Sequence, residues 1–231
     1  MDNTNGRRQS QLTEQREPSS SLEWPSRDVT RRSQFTIIAG PNGAGKSRLC
    51  PFYVSAKSFD GDKLMLDLRR EHPDWPDRWV SGTVASQLEK QKAEALEQHK
   101  DFAFETNFSS EMAIRMVHDF KAAGFKTTLC YFGLHSEADS VSRVMLRAQT
   151  GGHDVSDEII RFNFYEGLRN AKQNLHLFDN LTFVDGSSDY GHIVAIHIAK
   201  GGIHEVEDQP PLWFKEQFEE AFAKIAQHHS N

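Results

Sequence analysis

The stretch Gly40-Pro41-Asn42-Gly43-Ala44-Gly45-Lys46-Ser47 constrains this chain more than any other. It fits G-x-x-x-x-G-K-[ST] at every position. The run before it, FTIIA from Phe35 to Ala39, has the β-branched and aromatic pattern of a strand buried on both faces. Glycines let a backbone wrap an anion with its N–H groups inward, and a helix starting there presents its positive end to the same anion. Lys46 is then placed to neutralise β- and γ-phosphates, and Ser47 to offer its hydroxyl to Mg²⁺. The prediction is a nucleotide site in which all eight residues hold ATP. No sheet-end Asp follows a run of four apolar residues, so the second acidic motif usual beside such loops is missing.

Strand and helix patterns alternate from Phe35 to about residue 186. Strands are expected at 57–60, 102–105, 126–134 and 181–185. Helices are expected at 62–70, 77–100, 109–123, 137–149 and 157–177. Ile193–Ile198 and Ile203–Val206, joined by Lys200-Gly201-Gly202, read as a hairpin at a sheet edge. A last helix follows Pro210 and Pro211, with Phe214, Phe218, Ala221 and Ile225 on one face. This order predicts an α/β fold of the P-loop NTPase type: three layers, α/β/α, with a mostly parallel sheet and an edge hairpin. Residues 1–33 are polar and read as a flexible N-terminal tail, with gripping a partner as the alternative; residues 34–231 form one domain.

Composition excludes several classes. Hydrophobic residues make up 37% of the 231, including 16 Phe, which suffices for a sizeable core. A net charge of −6 weighs against general nucleic-acid binding. Cys50 and Cys130 form no CxxC, so a disulfide framework and a cysteine zinc site are excluded. No apolar run is long enough to span a membrane, and the N-terminus lacks the apolar core of a signal peptide. The expected compartment is the cytoplasm.

In parallel α/β sheets ligands sit beyond the carboxyl ends of the strands. Asp60 and Asp62 close the second strand in FDGD, and Glu105 closes the third in FAFET. A phosphoryl acceptor hydroxyl needs a carboxylate to take its proton, and Asp62 is the choice for that base. The structural alternative for Asp62 is an N-cap of the helix at Lys63. Asp60 and Glu105 are candidates to hold substrate hydroxyls or water on Mg²⁺; for Glu105 the alternative is a solvated loop carboxylate. Thr106, Asn107 and Ser109 follow, either to hydrogen-bond a polyhydroxy substrate or to cap the next helix.

Arg143 and Arg147, spaced i, i+4, share a helix face that ends at Thr150-Gly151-Gly152-His153; Arg161 lies one helix further on. Guanidinium groups beside paired glycines form a phosphate clamp that closes over a nucleotide, or else an ordinary solvated face. His153 has a structural or substrate-orienting role rather than a metal's.

Together AGPNGAGKS, FDGDKL…EHP, FETNFS and SRVMLRAQTGGHDV…II….Y..GLRN resemble the zeta toxin family of P-loop kinases, over residues 35 to 186. The resemblance implies an ATP- and Mg²⁺-dependent kinase that phosphorylates a hydroxyl of UDP-N-acetylglucosamine, with a partner antitoxin that blocks the nucleotide site. It implies Lys46 and Ser47 at ATP and Mg²⁺, Asp62 as base, Glu105 at the sugar nucleotide and Arg143 as first phosphate clamp. Arg147 and Arg161 compete for the second. The helix after GGHDV is less basic than the family pattern, a departure that leaves other metabolites, nucleic-acid ends or a non-catalytic ATP-binding role as alternatives.

Overall fold

The computed structural model describes residues 32–149, 155–188, 191–199 and 203–228. The segment read as a tail, through residue 31, lies outside the described residues, as do the glycine pair with His153 and the turn at 200–202. Arg32 and Ser33, read from the sequence as the end of that tail, already hydrogen-bond to the sheet's end: Arg32 Nε to Gly124 O at 3.1 Å, and Lys126 N to Ser33 O at 2.8 Å.

Seven strands form one sheet in the order β2-β3-β1-β4-β5-β6-β7. They are β1 (Gln34–Ala39), β2 (Ser58–Asp60), β3 (Phe102–Thr106), β4 (Lys126–Gly133), β5 (Asn180–Asp185), β6 (His192–Ile198) and β7 (Ile203–Val206). The first five run parallel; β6 and β7 add an antiparallel edge. The helices are α1 (Lys46–Leu49), α2 (Gly61–Glu71), α3 (Asp77–Glu97), α4 (Glu111–Ala122), α5 (Glu137–Gln149), α6 (Asp157–Asn174), α7 (Leu212–Gln217) and α8 (Glu219–His228). They cover both faces, so the expected doubly covered, mostly parallel sheet is what the chain forms.

The continuous apolar run of β1 is explained by its place. Strand β1 is central, paired with β3 and β4, and successive side chains face opposite layers. Phe35 and Ile37 enter the larger core, where Phe35 stacks on Phe120 with centroids 4.1 Å apart. Ile38 enters a smaller core with Ala44, Leu49 and Phe132, directly beneath the glycine loop. Each fully buried side chain of this kind contributes about 1.5–3 kcal/mol, so the loop rests on a rigid floor.

Some helix boundaries differ from expectation. The helix expected through Leu177 ends at Asn174 and tightens into a 3₁₀ turn at Leu175–Leu177, burying Leu175 and Leu177. The single C-terminal helix is two, broken at Phe218, because Phe214, Phe218 and Phe222 all pack on Phe183. On α3 the buried stripe is carried by Val80, Leu88 and Ala95, while Trp79 is 54% exposed. No helix among the described residues is long and apolar enough to cross a membrane.

Candidate active site

The glycine loop turns because its glycines adopt backbone angles other residues avoid. Gly40, Gly43 and Gly45 have φ of 143°, 78° and 79°. At Gly40 a Cβ would lie 2.2 Å from Phe132 O, so β4 itself forbids a side chain. Helix α5 braces the loop from above: Ser140 Oγ donates to Asn42 O at 2.6 Å, and Arg143 donates to Gly43 O at 3.4 Å. Arg143 also donates to Gly186 O and Ser187 O, at 2.6 and 2.5 Å, tying the loop to the turn after β5.

Lys46 is 9% exposed, and its ammonium donates to Gly40 O at 2.8 Å, Pro41 O at 3.0 Å and Asn107 Oδ1 at 3.0 Å. Burial pushes its pKa down; Glu105, Asp62 and Asp60 push it back up, and Arg147 adds to the lowering. Ser47 Oγ donates to Glu105 Oε1 at 2.8 Å and lies 3.2 Å from Asp60 Oδ2. Those carboxylates are neighbours because Asp60 and Glu105 pair across parallel β2 and β3. Burial lifts the Glu105 carboxyl above its ordinary range, as do Asp60 and Asp62, while Lys46 and the Ser47 hydrogen bond pull it down. Glu105 Oε2 is buried and has no hydrogen-bond partner among the described residues.

A cleft of about 600 Å³ runs along the loop, walled by Lys46, Ser47, Asp62, Glu105, Arg143 and Arg147. A recess of about 150 Å³ opens beside it, lined by Lys46, Asp60, Asp62, Glu105, Thr106 and Asn107. The two share Lys46, Asp60, Asp62 and Glu105. A separate cavity of about 360 Å³ between β4, α6 and α7 is walled by Phe164, Leu168 and Trp213 and meets the loop only at Pro41.

The structure distributes the sequence candidates unevenly. The capping role considered for Asp62 belongs to Asp60, whose Oδ1 accepts from Lys63 N at 3.0 Å; Asp62 stands in the first turn of α2, exposed to the cleft. The reason is geometric: a cap precedes the first helical residue, and the helix begins at Gly61. Thr106 Oγ1 accepts from Phe108 N at 3.0 Å, shaping a turn in which Phe108 has φ 59°. Asn107 holds Lys46. Ser109 lines neither cleft nor recess; its hydroxyl donates to Asn163 Oδ1 at 2.8 Å, and Asn163 Nδ2 donates to Asn42 Oδ1 at 3.0 Å. Arg161 also lies outside the cleft walls and pairs with Glu137. Arg147, one turn from Arg143, faces the cleft.

Sequence reasoning missed Ser140, Asn163, Gly167 and Asn170. Their role is to hold loops, and for the three on α6 the available signal was their i, i+4, i+7 spacing on one helix face.

The residues present fit a magnesium-bound triphosphate. The loop, opened by the left-handed backbone of Gly43 and Gly45, carries the buried ammonium of Lys46 beside the cleft. Ser47 Oγ with the carboxylates of Asp60 and Glu105 makes a set of hard oxygens of the kind magnesium takes, directly or through its waters. The orphaned Glu105 Oε2 is a further acceptor within that set.

Comparison with known proteins agrees with this geometry. The sequence pattern of the family described as "Zeta toxin" matches residues 26–191. An uncharacterized protein of Haemophilus influenzae is 28% identical over 135 residues, 58% of this chain and 94% of that protein. The AvrRxo1-ORF1:-ORF2 structure with ATP superposes with a TM-score of 0.60 at 15% identity, covering 85% of this chain. This chain spans 64% of the matched chain of that complex. The PezAT chromosomal toxin–antitoxin system of Streptococcus pneumoniae superposes with a TM-score of 0.55 at 13% identity, covering 87% of this chain and 85% of the other. Those two superpositions show the shared fold, and the family pattern covers most of the chain, including every residue that walls the cleft: this protein belongs to the zeta toxin family.

Proposed function

We propose that this protein is a kinase that transfers the γ-phosphoryl group of ATP to a hydroxyl of UDP-N-acetylglucosamine or a related nucleotide sugar. One observation carries the reading. Lys46, Asp60, Asp62 and Glu105 line both the cleft along the phosphate loop and the recess beside it, so one ammonium and one carboxylate cluster serve donor and acceptor sides together, and Asp62 is the exposed member, the other two being engaged by Lys63 and Ser47.

When bound, ATP supplies the phosphoryl group and Mg²⁺ neutralises charge on its oxygens. Asp62 accepts the proton of the acceptor alcohol as the new P–O bond forms and the bond to the leaving diphosphate breaks. Lys46, Arg143 and Arg147 oppose the negative charge that moves toward the diphosphate. Ser47, Asp60 and Glu105 would hold the metal, directly or through its waters. Glu105, Thr106 and Asn107 orient the sugar's reacting end in the recess, whose rest extends over the open surface. Arg161, paired with Glu137, is left out of the chemistry. The protein works in the cytoplasm, where ATP and nucleotide sugars meet, and a partner antitoxin covers the cleft. The PezAT and AvrRxo1 assemblies, both two-component complexes by name, support that last element.

The test is incubation with Mg·ATP and UDP-N-acetylglucosamine, followed by mass spectrometry. A nucleotide sugar that gains one phosphate supports the reading. Transfer to RNA ends or to other metabolites, with UDP-sugars untouched, replaces the acceptor; ATP binding without transfer to any small acceptor removes the kinase.

A further inference from the structure

Lys46 has three N–H donors and spends all three inside the protein. Two go to carbonyls of its own loop, Gly40 O and Pro41 O. The third crosses to the loop after β3, onto Asn107 Oδ1 at 3.0 Å. That loop is clamped by one face of α6. Gly167 presses on the Asn107 backbone, where a Cβ would lie 2.1 Å from its carbonyl oxygen. Asn170 Nδ2 donates to Phe108 O at 3.0 Å, and Ser109 donates to Asn163. Asn163, Gly167 and Asn170 stand at i, i+4 and i+7, so the backbone of 107–109 is held by α6, while the half-buried Asn107 side chain is held by Lys46. Asn107 also lines the recess with Asp62 and Thr106.

We propose that Asn107 is a nucleotide-responsive latch: its amide oxygen holds Lys46 until a triphosphate takes the ammonium, and the released amide then turns to the acceptor hydroxyl in the recess, its NH₂ donating to the hydroxyl oxygen while Asp62 takes the hydroxyl proton. Phosphate oxygens are charged acceptors and outcompete a neutral amide for an ammonium. The two carbonyl bonds come from the phosphate loop and are compatible with a bound anion; only the Asn107 bond has to be given up. The acceptor site is thus completed by the nucleotide, and binding is ordered with ATP first. The first half of this inference concerns nucleotide alone; the second half rests on the proposed phosphotransfer.

The test is isothermal titration of the full chain with the non-hydrolysable Mg·AMPPNP. Asn107→Ala removes the competing acceptor, and Asn107→Ser leaves a side chain one bond shorter than the reach to Lys46. Both should tighten binding about three- to tenfold, the direction opposite to that of structural damage. Asn107→Asp, which ion-pairs with Lys46, should weaken it. Unchanged or weaker binding by both the Ala and Ser variants overturns the latch. With UDP-N-acetylglucosamine as acceptor, Asn107→Ala should lower the KM for ATP and raise that for the acceptor; an unchanged acceptor KM overturns the hand-over. Absence of any transfer by the wild-type protein, with tightening retained, leaves the latch standing and removes only the choice of acceptor.

Discussion

Ser47 Oγ donates to Glu105 Oε1 at 2.8 Å, joining the hydroxyl that follows the loop lysine to the carboxylate at the end of β3. The contact exists because β1 and β3 are parallel neighbours, so both strands deliver their carboxyl ends to the same edge. The oxygens proposed to hold the metal are thus brought together from residues far apart in the chain.

Glu105 should make stability depend on pH. Burial raises its carboxyl pKa. A carboxyl whose folded pKa exceeds its unfolded value favours folding fully below the unfolded pKa, and that contribution is lost as pH rises through the folded one. Melting temperature should therefore fall over that window. Glu105→Gln, which cannot ionise, should flatten the fall and be more stable than wild type at neutral pH, while turnover drops by at least about tenfold. Thermal melts from pH 4 to 8 check this; an unaltered profile in the variant refutes it.

Asp62→Asn should separate chemistry from nucleotide binding. Loss of a general base costs roughly 10² to 10⁴ in kcat. Affinity for Mg·ATP should stay near wild type, because the loop amides and Lys46 remain. Steady-state kinetics with parallel binding measurements decide it; wild-type kcat would remove Asp62 from the mechanism.

The two competing arginines should part company. Arg147 walls the cleft, whereas Arg161 is held by Glu137. Arg147→Ala should lower kcat/KM by about tenfold or more, in line with losing a charge-assisted hydrogen bond in the transition state. Arg161→Ala should change it by less than about twofold, because this half-exposed guanidinium is paired with Glu137 away from the cleft walls. Equal losses in the two variants would contradict the assignment.

Two helix glycines should respond in opposite directions to the same substitution. Gly82, on α3, has open space where a Cβ would go, so Gly82→Ala should stabilise by about 0.5–1 kcal/mol. Gly167→Ala drives a Cβ to 2.1 Å from Asn107 O and should destabilise by about 1–3 kcal/mol despite the better helix propensity. At about 2–4 °C per kcal/mol for a chain of this size, melting temperatures resolve the difference. Stabilisation by both would mean that α6 does not clamp the β3–α4 loop.

Local pattern determined a good deal. The glycine loop, its buried strand and the alternation of strands with helices were legible at the level of single segments, because backbone angles and side-chain periodicity are set by neighbours in the chain. From these came the layered sheet, the phosphate loop and the expectation that acids at strand ends gather near it. Tertiary structure decided what required a register or a crossover. It made Asp60 rather than Asp62 the cap of α2, sent Ser109 to Asn163, drew Arg161 away to Glu137 and set Asn107 against Lys46. None of those partners lies within one turn of the residue it holds except Lys63, and that one depended on where α2 begins. Spacing along a chain says which side chains share a face. Which faces meet is fixed by how seven strands are ordered and how α6 crosses over them, and that is a property of the packed core as a whole.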